Sequence, residues 1–290
     1  MSFLVGIETM RFGSYDCFTL EMDSFLLDGG AMFGVVPKNL WEKKIPADAM
    51  NRIPMQARSL IIRGNGKVIL VDTGIGDKLS DKFKKIYDIQ TSVSSMAARL
   101  EPFELTVEDI TDVILTHLHF DHVGGSTAIV DGQVVATFPN AVYHVQAAQW
   151  ELACNPSVRD RSSYIPDNFM PLLEQKVLNL VKGPAIDFFD GIDLIVTDGH
   201  TQGQHHPLIK GDTTSLFYCA DLIPTSAHIP TAWHMGYDNY PLNLMDEKGV
   251  ILSRAIEENW ILCFEHDPVV AAASVREEKG RVVIDQVIEL

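Results

Sequence analysis

The stretch Thr116-His117-Leu118-His119-Phe120-Asp121-His122-Val123-Gly124-Gly125 constrains this chain more than any other. It sets three imidazoles and a carboxylate into six positions, directly after the apolar run Asp112-Val113-Ile114-Leu115. Such a run reads as a buried strand. In an extended chain, side chains at i and i+2 share a face, so His117 and His119 can reach one metal together. Asp121 and His122 follow as the chain turns and can point at a second metal beside the first. Imidazole and carboxylate are ligands that zinc accepts. Gly124 and Gly125 permit tight turning where a bulky residue would clash. Without a cation, this cluster would bury mutually repelling polar groups at the edge of a core, which is costly.

The pattern HxHxDH followed by Gly-Gly resembles the signature of the metallo-β-lactamase superfamily, and THLHFDHVGG matches it at every signature position. The resemblance continues in DGGAMFGVVPK (residues 28–38), VDTGIG (71–76), ADLIPTSAHIP (220–230) and FEHDP (264–268). Together these resemble the branch that holds N-acyl homoserine lactonases, related lactonases and methyl parathion hydrolase. The fold this implies is α+β: an αββα four-layer sandwich of two mixed sheets with helices on the outer faces.

The same resemblance implies the remaining metal ligands. Thr197-Asp198-Gly199-His200-Thr201-Gln202-Gly203 matches the family's TxGHTxG element and offers His200. Where the family often has a second His, this chain has Gln204, followed by His205 and His206. Asp221, at the end of the strand Ser215 to Ala220, falls where the family has a metal-bridging Asp, and His266 falls on its last ligand element. The implied set is His117, His119 and His200 on one metal, Asp121, His122 and His266 on another, and Asp221 shared. An open coordination position marks a catalytic site. The expected cofactors are two divalent ions, taken as zinc, with manganese, cobalt or iron able to use the same ligands. The expected nucleophile is a metal-bridging hydroxide, with Asp121 as the catalytic carboxylate that orients it and carries a proton. Asp72, in Val71-Asp72-Thr73-Gly74, is expected either to brace the ligand loop through hydrogen bonds or to be a plain turn former.

The implied function is a dinuclear zinc-dependent hydrolase, foremost a lactonase. The alternatives are hydrolysis of another ester, a phosphotriester or a thioester, or an iron-dependent persulfide dioxygenase on the same fold. One departure bears on substrate. Lactonases of this branch carry a Tyr three residues after the bridging Asp, and here that position is Pro224. His228 and Tyr237 are the candidates to take over substrate binding, although either could be a loop residue bonded to backbone. Trp233 and Met235 could line an apolar pocket or simply pack, and Lys248 reads as surface charge.

Composition narrows the partners. The formal net charge of -16 argues against nucleic acid. No apolar run is long enough to span a membrane. Met1 to Glu8 has no basic n-region, so a signal peptide is not expected. Cys17, Cys154, Cys219 and Cys263 are scattered without a CxxC pair and read as thiols of a cytoplasmic protein. The expected partner is a small-molecule substrate, with a homodimer left open. With 290 residues, 46% of them hydrophobic, and no linker, residues 1–290 read as one domain.

Several elements follow from pattern. Residues 3–27 read as two strands with a turn at 13–16. The glycines of 28–38 mark a loop, and 39–54 a loop or short helix. Residues 57–63 and 67–71 form a hairpin around Gly64-Asn65-Gly66. Helices are expected at 78–87, 92–100, 146–153, 169–181 and 240–259, with a short helix starting at 106–109. Further strands are expected at 141–145, 186–189, 192–196 and 261–268.

Overall fold

A computed structural model describes residues 9–90 and 95–290. The parts of the expected first strand at 3–8 and of the expected helix at 92–94 lie outside the described residues.

The chain opens with β1 (Met10–Phe12) and the long β2 (Tyr15–Asp28), then two short helices, α1 (Gly29–Phe33) and α2 (Lys38–Trp41). β3 (Arg52–Gly64) and β4 (Lys67–Val71) form the expected hairpin. Asn65 and Gly66 both take positive φ, 48° and 73°, as a two-residue type I′ turn requires. After α3 (Asp81–Ile86) and α4 (Met96–Leu100) comes β5 (Asp112–Ile114), then α5 (Phe120–Val123). A small hairpin, β6 (Thr127–Val130) and β7 (Gln133–Ala136), precedes β8 (Val142–Gln146), α6 (Ala147–Cys154), α7 (Met170–Glu174) and β9 (Leu178–Val181). The second half runs β10 (Ala185–Phe189), β11 (Ile192–Thr197), β12 (Gln204–Ile209), β13 (Ser215–Tyr218), α8 (Pro241–Glu257), β14 (Trp260–Cys263), β15 (Ala272–Glu278) and β16 (Arg281–Ile288).

The strands pair as one sheet ordered β1-β2-β3-β4-β5-β8-β9 and another ordered β10-β11-β12-β13-β14-β15-β16. Both are mixed: β4, β5, β8 and β9 run parallel, as do β13 and β14. The period-2 alternation of strands divides their side chains between layers. Ile69, Val71 and Ile114 meet Leu216, Tyr218, Ile261 and Cys263 between the sheets. Leu70 and Val113 face the helices of the first half, whereas Phe217, Trp260 and Leu262 face α8. Central strands are therefore buried on both faces, which explains why they read as continuous apolar runs. The result is the four-layer αββα sandwich.

Three expected elements differ. Residues 29–33 are helical rather than loop. Asp28 caps that turn by accepting from Ala31 N at 2.8 Å, and Gly29 is there for close packing, since a Cβ would lie 2.4 Å from the Trp41 ring. The helix expected over 169–181 stops at Glu174. Lys176 takes a positive φ of 60°, and residues 178–181 complete the sheet edge beside β8. At 106–109 the Asp109 carboxylate accepts from both Thr106 N and Oγ1 at 2.8 Å, closing a single turn that does not propagate.

Candidate metal centre

The cluster lies at the C-terminal ends of the parallel strands. β5 delivers His117, His119, Asp121 and His122, with the last two on α5. β13 delivers Asp221, β14 delivers His266, and the turn between β11 and β12 delivers His200. Ala220, just before Asp221, takes φ 41°, a conformation unfavourable for a residue with a Cβ and one that often marks functional sites.

Two donor groups result. In the first, His119 Nδ1 lies 3.0 Å from His117 Nε2 and 3.2 Å from His200 Nε2, and Asp221 Oδ2 lies 3.1 Å from His200 Nε2. In the second, His122 Nε2 and His266 Nε2 are 3.2 Å apart, and each is 3.9 Å from an oxygen of Asp121. Asp221 joins them, its Oδ1 3.0 Å from His266 Nε2. Zinc–nitrogen lengths near 2.0 Å put the donors of a tetrahedral site about 3.3 Å apart. The imidazole–imidazole spacings of 3.0 to 3.2 Å lie close to that value, whereas the Asp121 oxygens stand farther off, at 3.9 Å. Asp221 Oδ1 is buried and, although His266 Nε2 is 3.0 Å away, meets no well-aligned donor, so it is an oxygen that a cation would satisfy.

The imidazoles divide electrostatically: burial disfavours charge on all of them, but acidic neighbours, Asp221 among them, outweigh it and raise His122 well above the usual histidine range and His200 and His266 to about 9. Burial, reinforced by neighbouring imidazoles, pushes His117 and His119 well below the usual histidine range, so they are neutral and carry free lone pairs. Burial opposes the charge on Asp221, but His200, His122 and His266 outweigh it and hold the carboxyl well below its ordinary range.

Supporting residues fix the rings. Asp72, fully buried, accepts from Thr116 N (2.8 Å) and Thr116 Oγ1 (2.6 Å) and faces His122 Nδ1 at 3.1 Å. Asp238 Oδ1 faces His200 Nδ1 at 2.8 Å, and the Gln56 carbonyl accepts from His266 Nδ1 at 2.8 Å. Glu265 Oε2 is 3.0 Å from His122 Nδ1. Asp238 and Glu265 escaped sequence reasoning. Only Glu265 had an available signal, its place beside His266 in FEHDP. Asp238 is brought in by a fold that returns 38 residues after His200.

His119, Asp121, His200, Asp221 and His266 line a cavity of ≈ 230 Å³ whose wall also includes Leu27, Met32, Phe120 and Met235, with Tyr87, Arg159 and Tyr237. Tyr87 was not anticipated. Tyr237 does line the cavity, 42% exposed. His228 does not. It is fully buried, with Nδ1 2.7 Å from Thr225 Oγ1, Nε2 2.8 Å from the Met32 carbonyl, and its ring stacked on Phe33. Both ring nitrogens are engaged, so it braces the cavity wall instead. Of the three histidines near TxGHTxG, His200 alone joins the cluster. His205 and His206 point into the sheets, facing Gln146 Nε2 at 3.2 Å and Thr197 Oγ1 at 2.8 Å. Met235 lines the cavity, whereas Trp233 packs edge-on against Phe33. Lys248 is not surface charge. It is fully buried on the α8 stripe with Leu244, Ile251 and Leu252, and donates to the carbonyls of His228 (3.1 Å) and Trp233 (2.5 Å). Burial brings its amine down to about 8.

Residues 52–266 match the family model of the metallo-β-lactamase superfamily. The chain belongs to that superfamily. A probable metal-dependent hydrolase from Staphylococcus aureus superposes with a TM-score of 0.88 at 30% identity, over 97% of this chain and 99% of that one. A dizinc quorum-quenching lactonase, solved with its product, superposes with a TM-score of 0.80 at 19% identity over 98% of each chain, which shows the shared fold. An N-acyl homoserine lactonase of Bacillus cereus is 30% identical over 109 residues, 38% of this chain and 36% of its own length. A probable metallo-hydrolase of Mycobacterium tuberculosis is 26% identical over 186 residues, 58% of this chain and 57% of its own length. The chain thus aligns with about a third of that lactonase and little over half of the mycobacterial protein. Among the described residues of this superfamily member no helix is long and apolar enough to cross a membrane.

Proposed function

We propose that the protein is a dinuclear zinc-dependent hydrolase that opens lactones or cleaves related carboxylic esters. The observation that carries this reading is the pair of donor groups, linked by Asp221, in the wall of a partly apolar cavity. His117, His119 and His200 would hold one ion, and Asp121, His122 and His266 the other. When bound, such ions supply Lewis acidity toward a carbonyl oxygen and lower the pKa of water.

The chain's own groups have distinct tasks. Asp121 lines the cavity beside His122 and His266, where its carboxylate can accept a proton from attacking water and return it to the leaving oxygen. Asp72, Asp238 and the Gln56 carbonyl hold three imidazoles by their outer nitrogens, which fixes ring orientation before substrate arrives. Leu27, Met32, Phe120 and Met235 exclude water from the substrate's apolar part. Tyr237 supplies a hydroxyl donor to the substrate from the cavity wall. The similarity to lactonases supports a lactone substrate, as does the apolar wall, which suits an acyl chain.

The test is a pH-indicator hydrolysis panel on zinc-loaded protein with a chelated control. It would contain acyl homoserine lactones of several chain lengths, a γ-lactone, an aryl phosphotriester and a thioester. Chelator-sensitive turnover of the lactones is expected. Turnover confined to the phosphotriester or thioester would overturn the substrate, and silence across the panel would overturn the hydrolytic reading.

A further inference from the structure

The chain carries 39 acidic against 23 basic residues, so a guanidinium with no carboxylate partner stands out. Arg159 is such a group, and it lines the cavity. It makes no ion pair among the described residues. Its Nε donates to Asn239 Oδ1 at 3.1 Å, and its Nη2 donates to the carbonyls of Gly236 at 2.5 Å and Asp238 at 2.9 Å. All three acceptors lie in the segment that also supplies Tyr237 to the cavity wall. The neighbouring carboxylate, Asp160, is taken by Ser157 Oγ at 2.7 Å and Asn239 Nδ2 at 3.1 Å. These tethers fix the guanidinium plane and use both edges that would form a two-pronged fork. What remains is Nη1, whose two N–H groups have no acceptor among the described residues. Ser162 and Ser163 line the same cavity, and neither side-chain hydroxyl has a hydrogen-bond partner among the described residues.

We infer that Arg159, with Ser162 and Ser163, forms an anion subsite in the cavity wall that selects esters or lactones bearing a carboxylate remote from the scissile bond. The inference rests on the hydrolase reading above and specifies its substrate class. The chemistry is direct. An arginine held by neutral carbonyls keeps its full charge for a ligand, and it has been oriented before the ligand arrives. With Nη2 and Nε occupied, Nη1 can serve one carboxylate oxygen, leaving the other to a serine hydroxyl. The apolar residues Leu27, Met32, Phe120 and Met235 line the same cavity and suit the methylene spacer of such a substrate. The site would then accept an acyl group with a charged far end and discriminate against its uncharged counterpart.

The test compares zinc-loaded wild type with Arg159→Gln and Arg159→Lys. One readout is kcat/KM for monoaryl esters of a series of α,ω-dicarboxylic acids against their methyl-capped forms. The other is calorimetric binding of an N-butyl dicarboxylic monoamide against the corresponding uncharged N-butyl amide, which needs no turnover. Wild type should prefer the charged member by about tenfold or more at the best spacer length. Arg159→Gln should bring the ratio to near unity, and Arg159→Lys should keep part of it. General loosening of the 236–239 segment would lower both members together and leave the ratio standing. No preference in wild type would overturn the proposal. So would a preference that survives Arg159→Gln, because it would belong to the metals. If the binding preference is present but no ester is cleaved, the hydrolase reading fails while the subsite stands. If esters are cleaved without preference, the subsite fails and the hydrolase reading stands.

Discussion

Asp72→Asn isolates the brace behind the metal centre. Asp72 sits at φ 53°, a left-handed conformation that Asn tolerates well, so the substitution should add little backbone strain. Its carboxylate accepts two hydrogen bonds from Thr116 and faces His122 Nδ1 at 3.1 Å, all out of contact with solvent. Asn keeps one acceptor oxygen, and its NH2 must stand either in place of Oδ1, facing Thr116 N–H, or in place of Oδ2, facing Thr116 Oγ1 and His122 Nδ1 together. The hydroxyl can rotate to accept, whereas neither the backbone N–H nor an imidazole N–H can. A hydrogen bond to a charged group contributes about 1.5–3 kcal/mol. That agrees with the roughly 10–100-fold loss of metal affinity usual for such supporting residues. Glu265, 3.0 Å from the same nitrogen, should hold the loss near the lower end. Chelator-competition titration should therefore find the ion at Asp121, His122 and His266 weakened about tenfold, with the other ion weakened less. Affinities within twofold of wild type at both positions would refute the reasoning.

Other substitutions probe separate links. His122→Ala removes a donor from the second group only, and activity should fall below detection while the thermal transition of the metal-free protein persists; surviving activity would show that the second ion is dispensable. Gly124→Ala places a Cβ 1.8 Å from the Ile75 carbonyl, an overlap that backbone must absorb, and urea denaturation should show destabilisation of about 3 kcal/mol or more. A wild-type midpoint there would mean that the two loops are not locked together. Burial opposes ionisation of Asp112, but hydrogen bonds from His144, Lys67 and Thr111 prevail and take the carboxyl down to about 2. Because the folded value lies below the ordinary 3.8, its stabilisation is present above pH 4 and fades as pH falls through 2. After allowance for the part-exposed Lys67, Asp112→Asn should lose about 1–2 kcal/mol at pH 7 and converge with wild type near pH 2. A pH-independent difference would contradict that origin.

What could be read from the chain depended on how locally each feature is encoded. His117 to His122 are contiguous, and the hairpin at 57–71 carries its own turn chemistry, so both were legible. His200, Asp221 and His266 emerged only through resemblance, since one histidine or aspartate at a strand end has an ordinary structural explanation. The misread elements were decided by tertiary context. Residues 178–181 have a helix-compatible pattern but complete a sheet edge beside β8. Lys248 carries a charge into an apolar stripe because two loop carbonyls wait there. His228 was drawn toward the substrate by its chemistry, yet its neighbours consume both ring nitrogens. Asp238 reaches His200, and Tyr87 and Arg159 reach the cavity, from segments far apart in sequence, and no local pattern announces them.

The central claim is a two-ion centre whose occupancy governs hydrolysis. Its most direct test is to strip the protein, add zinc in measured steps, and follow bound metal by elemental analysis alongside lactone hydrolysis. The account predicts saturation at two zinc ions per chain, with activity rising fully only as the second binds. Saturation at one ion, or full activity before the second is bound, would contradict it.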